Sequence, residues 1–166
     1  MKLRVLRIIS AVLLVVIMTA AFCFSAQPAE ESQETSDGFL FKVMSLFYPE
    51  VETMTPEQKN ELLEKFSSPI RKCAHFSIYA FMGVFSLLTV MSYKALKLDL
   101  RTLIAWLICI VYSVGDEIHQ HFVPGRSCEI RDMLIDSSGA LLGIAVTLGI
   151  CLIISKIIKK RRSIAG

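Results

Sequence analysis

Apolar residues run almost without a break from Val5 to Ala26, from Cys73 to Tyr93, from Thr102 to Gly115 and from Met133 to Ile158, where Asp136 interrupts the last run. Such runs predict membrane-spanning helices, because crossing the hydrocarbon takes about 20 residues at a rise of about 1.5 Å each. The third run is too short by itself and spans only by taking in part of Asp116 to Gln120. Between the first two runs the pattern changes. Ser36-Asp37-Gly38 precedes the apolar segment Phe39 to Tyr48 and then Pro49, which predicts a short helix stopped by proline that covers the bundle or lies in the membrane interface. Thr55-Pro56-Glu57-Gln58 predicts a second short helix, with Thr55 as the cap, Pro56 at the first helical position and Gln58 completing a capping box. Its narrow stripe Leu62, Leu63 and Phe66 suits docking against the bundle, with recognition of an outer ligand as the alternative.

The fold expected is an all-α integral membrane protein, a bundle of about four transmembrane helices with short amphipathic outer helices. A chain of 166 residues that is 54% hydrophobic, with a mean hydropathy of +0.56, is too apolar for an ordinary soluble domain. It divides into an N-terminal anchor (1–26), an outer segment (27–70), a membrane core (71–158) and a basic tail (159–166). The first run resembles a signal peptide in its basic start, but it is too long, and Phe22 and Phe24 spoil the small-residue cleavage pattern, so an uncleaved anchor is expected.

Charge supplies the orientation. Lys2, Arg4 and Arg7 precede the first span, Lys94, Lys97 and Arg101 separate the second from the third, and Lys156, Lys159, Lys160, Arg161 and Arg162 follow the fourth. Positive loops stay inside, so both termini are expected in the cytoplasm, and the acidic segment from Glu30 to Glu64 faces outward. The net charge of +3 comes largely from these topogenic residues, which argues for anionic lipid and against nucleic acid as a partner.

The densest chemistry is Asp116-Glu117-Ile118-His119-Gln120-His121, followed by Pro124-Gly125-Arg126, Arg131-Asp132 and Asp136. A charged side chain at the centre of a membrane helix costs about 2.5–3.5 kcal/mol on insertion scales, so such groups are placed with a partner, water or a task. Lys72, His75, Tyr79 and Met82 or Gly83 follow three- and four-residue steps and share a helix face. Cys109, Tyr112 or Ser113, Asp116 and Gln120 make a second face, with Ser113 and Glu117 as another close pair, so either acid can point inward. Asp132 and Asp136 stand one helical step apart. A structural ion-pair network would also account for this balance of charges. Gly139 and Gly143 form a GxxxG step that suits close packing within the bundle, and also allows a homo-oligomer contact. Five cysteines show neither a CxxC pair nor zinc spacing; most suit packing, with a Cys73–Cys128 disulfide near the outer surface as the minor alternative, since sequence gives no Cα separation. His75, His119, His121 and the nearby acids are capable ligands, but their spacing along the chain is no metal signature, and no metal or cofactor is expected.

Arg71-Lys72-Cys73-Ala74-His75-Phe76 with Tyr79, then Glu117, Gln120, Pro124-Gly125-Arg126, Asp132, Gly139 and Gly143, resemble the VanZ-like family, named for a teicoplanin-resistance protein. The resemblance covers about Arg71 to Gly143, with Lys72, His75, Tyr79, Glu117, Gln120, Arg126 and Asp132 as the matching polar residues. At Asp136 the family pattern usually has asparagine. The resemblance implies a small multi-helix membrane protein of the bacterial cell envelope, associated with glycopeptide resistance.

The leading expectation is an envelope protein that binds a lipid headgroup, wall precursor or glycopeptide through Lys72, His75, Tyr79, Glu117, Gln120, Arg126, Arg131, Asp132 and Asp136. Arg126 suits phosphate or carboxylate because its planar guanidinium offers paired donors. The alternatives are a membrane enzyme on a lipid-linked substrate, with His75 or Glu117 carrying a proton, and a proton-coupled transporter. No complete catalytic signature favours the enzyme over the binder.

Overall fold

The computed structural model describes residues 2–93 and 95–165, which form five α-helices and, among the described residues, no strand. They are α1 (Lys2–Ser25), α2 (Ala29–Phe47), α3 (Pro56–Met91), α4 (Leu98–Gln120) and α5 (Ile130–Ala165), with a 3₁₀ turn at Pro49–Thr53. Of the basic residues that carry the topology argument, Lys94 and the side chains of Lys2 and Arg162 lie outside the described residues. Four helices, α1, α3, α4 and α5, are long and apolar enough to cross a membrane, and α4 reaches that length by carrying Asp116 to Gln120 inside it.

Helix α3 is the centre of the bundle, packed by α1, α2, α4 and α5. Each spanning neighbour offers a narrow stripe at helical spacing: Ser10, Leu14, Ala21 and Ser25 on α1; Ala105, Cys109, Ser113, Asp116 and Gln120 on α4; Asp136, Ala140, Gly143, Ile144 and Thr147 on α5. The opposite faces leave large apolar side chains exposed, such as Val12, Val15 and Val16 on α1 and Ile153 and Ile154 on α5, as lipid contact requires.

The closest packing lies between α3 and α5. A Cβ on Gly139 would collide with the carbonyl of Phe76, one on Gly143 with that of Ala80, and one on Gly83 with that of Ala140. The GxxxG step is therefore an intrachain seam: without side chains the two backbones approach until carbonyls fill the space. Cross-helix polar contacts add to it, with Ser86 donating to the Ala105 carbonyl at 3.0 Å and Thr89 to Ser10 at 3.1 Å.

Two expected boundaries move. Helix α2 begins at Ala29 rather than beside Phe39, and it runs through Gly38. Glycine costs about 1 kcal/mol inside a helix, but Ser32, Ser36 and Leu40 bury one stripe, Glu30 and Glu31 favour the N-terminal dipole, and Asp37 accepts a hydrogen bond from Ser67 of α3. The helix capped by Thr55 is not a separate short one. The capping box forms as expected, yet α3 continues over 36 residues, about 54 Å, straight through Pro69. The interior proline removes one backbone bond at a cost of about 3 kcal/mol; packing of α2 on the first half of α3, and of α1, α4 and α5 on the second, offsets it. All five cysteines are free, Cys73 and Cys128 both exposed.

Candidate functional site

Three helix ends and one loop converge where α1 ends, α4 ends and α5 begins. Lys72, His75 and Tyr79 descend one face of α3; Ser113, Asp116, Glu117 and Gln120 lie on the buried face of α4; Asp132 and Asp136 occupy the first turns of α5. The loop is shaped by a β-turn over Val123-Pro124-Gly125-Arg126, closed by the Arg126 N–H donating to the Val123 carbonyl at 3.1 Å. Pro124 takes the second position, and Gly125 the third with φ of 71°, the type II pattern that favours glycine. The turn also accepts the Ala29 N–H on its Pro124 carbonyl, tying α2 to the loop.

The deeper layer is almost closed. Asp116, 4% exposed, accepts hydrogen bonds on Oδ2 from Ser25 at 2.7 Å and Tyr79 at 3.3 Å. Asp136, 1% exposed, accepts on Oδ2 from Ser113 at 3.4 Å, and its Oδ1 stands 3.9 Å from Nδ1 of His75. The Oδ1 atoms of both aspartates are buried and have no hydrogen-bond partner. Such atoms carry a desolvation cost of about 1–3 kcal/mol or more when charged.

On the loop side, Glu117 accepts the backbone N–H of Glu129 on Oε2 at 2.9 Å and Gln120 Nε2 on Oε1 at 3.3 Å. Both adjacent acids therefore point inward. Asp116 turns toward α1 and α3, and Glu117 anchors the loop into α5. Lys72 donates to Asp132 at 2.7 Å and lies 3.8 Å from Glu129. Arg126 donates from Nε to the Gln27 carbonyl at 3.2 Å, while its buried Nη2 has no partner. Burial, aided by the charge of Arg71, draws the Arg126 guanidinium below its usual value, whereas Glu117, Asp116 and Asp132 pull it back. It stays a cation, because its ordinary value is so high.

A cavity of about 300 Å³ opens beside this cluster between α1, α2 and α3. Phe24, Phe39, Ile70 and Ile78 give it apolar walls, and Arg71 and His75 give it a charged and a titratable group. A shallower groove of about 600 Å³ runs along α1 and α4 past Met18, Leu107 and Val111 to Asp116 and His119.

Of the residues singled out from sequence, Lys72, His75, Tyr79, Glu117, Gln120, Arg126, Asp132 and Asp136 are brought to this end of the bundle. Arg131 is exposed at the start of α5. His119 packs tilted against Phe22 at 4.6 Å between ring centroids, and exposed His121 lies edge-on to Phe122. Ser25 joins the site without a motif to mark it; its one sequence signal is a hydroxyl at the end of an apolar run, where a cross-helix partner is needed. Arg71 enters the sequence pattern only at the head of the Arg71 to Phe76 segment, yet it lines the cavity.

A family model described as VanZ/LLP1 matches residues 10–154. The chain belongs to the VanZ/LLP1 family. The match takes in most of α1, all of α2 to α4 and most of α5, so the VanZ/LLP1 region includes the anchor, the α2 cover and the whole polar cluster. With four apolar helices of spanning length, it is a multi-pass membrane protein. No curated protein and no solved structure matches the chain.

Proposed function

We propose that this VanZ/LLP1 protein binds the anionic headgroup of an envelope lipid or lipid-linked wall precursor and thereby lowers the effect of a glycopeptide such as teicoplanin. The observation that carries this reading is the cavity whose walls are apolar and whose polar lining includes Arg71 and His75. A pocket of that make-up fits a molecule with a hydrocarbon part and a negative part. Arg126, with a buried Nη2 lacking a partner, adds a second guanidinium at the same end of the bundle. Glu117 holds the loop that carries Arg126 and Glu129, and Lys72 and Asp132 brace the start of α5 against α3. The positive residues at the start of α1, around the α3–α4 turn and at the end of α5 support an orientation with this cluster at the outer leaflet and both termini in the cytoplasm.

A second reading is a membrane enzyme acting on the same class of ligand. It is favoured by His75, which both lines the cavity and faces the buried carboxylate of Asp136, as a proton-transferring pair would.

The test is teicoplanin susceptibility in a sensitive host carrying wild type, Arg71→Ala, Arg126→Ala or Glu117→Gln at matched membrane abundance. Protection by wild type that is lost in both arginine variants supports the headgroup reading. Equal protection by all four proteins removes the cationic residues from the mechanism, and no protection by wild type removes the glycopeptide from it.

A further inference from the structure

His75, Asp116 and Asp136 come from three different helices, yet each presents a ligand atom within 4.8 Å of the other two. We propose that these three side chains bind one divalent transition-metal ion, zinc or a close first-row neighbour, inside the membrane end of the bundle.

Two independent features point to an ion here. One is the donor set: a single imidazole nitrogen and two carboxylate oxygens suit zinc, manganese or iron, whereas the imidazole disfavours magnesium and calcium. The other is the state of the carboxylates. Asp116 and Asp136 are each more than nine-tenths buried; each has Oδ2 engaged by a hydroxyl, and each leaves Oδ1 with no hydrogen-bond partner. Among the described residues, no lysine or arginine forms an ion pair with either; Lys72 is engaged with Asp132 and Glu129. Two carboxylates and one divalent cation sum to zero charge, the state that a low-dielectric site favours.

The hydroxyls of Ser25, Tyr79 and Ser113 then have a defined role. They hold Oδ2 of each carboxylate and leave Oδ1 for an ion, as supporting hydrogen bonds do around metal sites. Closing the set around an ion draws together ligand atoms that already lie within 4.8 Å of one another. Ligand atoms around tetrahedral zinc are about 3.3 Å apart, and the His75–Asp136 pair is already at 3.9 Å. The α3–α5 glycine seam, with Gly139 against the Phe76 carbonyl, keeps that pair in register.

Three protein ligands leave a tetrahedral ion one exchangeable position. His75 also lines the apolar cavity, so that position is within reach of water or of an anionic group bound there. This last step rests on the headgroup reading; the metal itself does not.

The experiment uses the full chain in detergent, purified through a tag without histidine, and equilibrated with zinc or manganese before gel filtration and elemental analysis. Wild type and His121→Ala are expected to retain about one ion per chain, and His75→Ala and Asp136→Asn less than about a tenth of that. X-ray absorption of the loaded wild type, which needs no variant to fold, should show only nitrogen and oxygen neighbours including one imidazole. Wild type that retains neither ion overturns the proposal. Sulfur in the absorption spectrum, or equal metal in wild type, His75→Ala and Asp136→Asn, overturns it as well.

Discussion

Replacing Gly143 by alanine adds one methyl group where the α5 backbone meets α3. The added Cβ falls well inside van der Waals contact of the Ala80 carbonyl oxygen and close to its carbonyl carbon, both backbone atoms that cannot rotate away. Helices α3 and α5 must separate by about an ångström. A gap of that size forfeits roughly a quarter to a half of each dispersion contact along the seam, and overpacking of this kind costs about 1–3 kcal/mol. Gly149 lies further along the same helix, and a Cβ there would meet nothing within 4 Å. At that position alanine should gain up to about 1 kcal/mol from helix propensity alone. The propensity gain is common to both helical glycines, so the two substitutions should differ by the overpacking cost, about 1–3 kcal/mol, with Gly143→Ala the less stable. Thermal or denaturant unfolding of the three proteins in one detergent measures this. Equal midpoints for Gly143→Ala and Gly149→Ala would refute the seam, and a stabilised Gly143→Ala would show that the backbones do not touch there.

Ser25→Ala should destabilise the fold by about 1–3 kcal/mol, because Asp116 Oδ2 loses its shorter hydrogen bond and keeps only Tyr79; an unchanged unfolding midpoint would mean that Ser25 does not engage Asp116. Gly125→Ala should raise backbone hydrogen exchange across 123–129 by forcing a side chain into positive φ against Ala29; Gly125→Asn meets the same Ala29 contact but tolerates the φ, so it should raise exchange less. Equal exchange in the two variants would count against the type II turn.

Much of the architecture is legible in local pattern. Apolar runs predict the four spanning helices, and the Thr55 capping box, the Pro124-Gly125 turn and the GxxxG step all report their own geometry, because caps, turns and close approach depend on residues a few positions apart. The three- and four-residue steps of Lys72, His75 and Tyr79, and of Asp116 and Gln120, likewise place them on single faces. Continuity of α3 through Pro69, and of α2 through Gly38, is not legible, since local propensity opposes both and packing against other helices outweighs it. Nor can sequence choose between Asp116 and Glu117. The choice disappears once α1 supplies Ser25 on one side and the loop supplies the Glu129 N–H on the other. The grouping of His75, Asp116 and Asp136 depends on how three helices are rotated and staggered. That relation is set by the glycine seam and the cross-helix hydrogen bonds, which no spacing within one helix encodes.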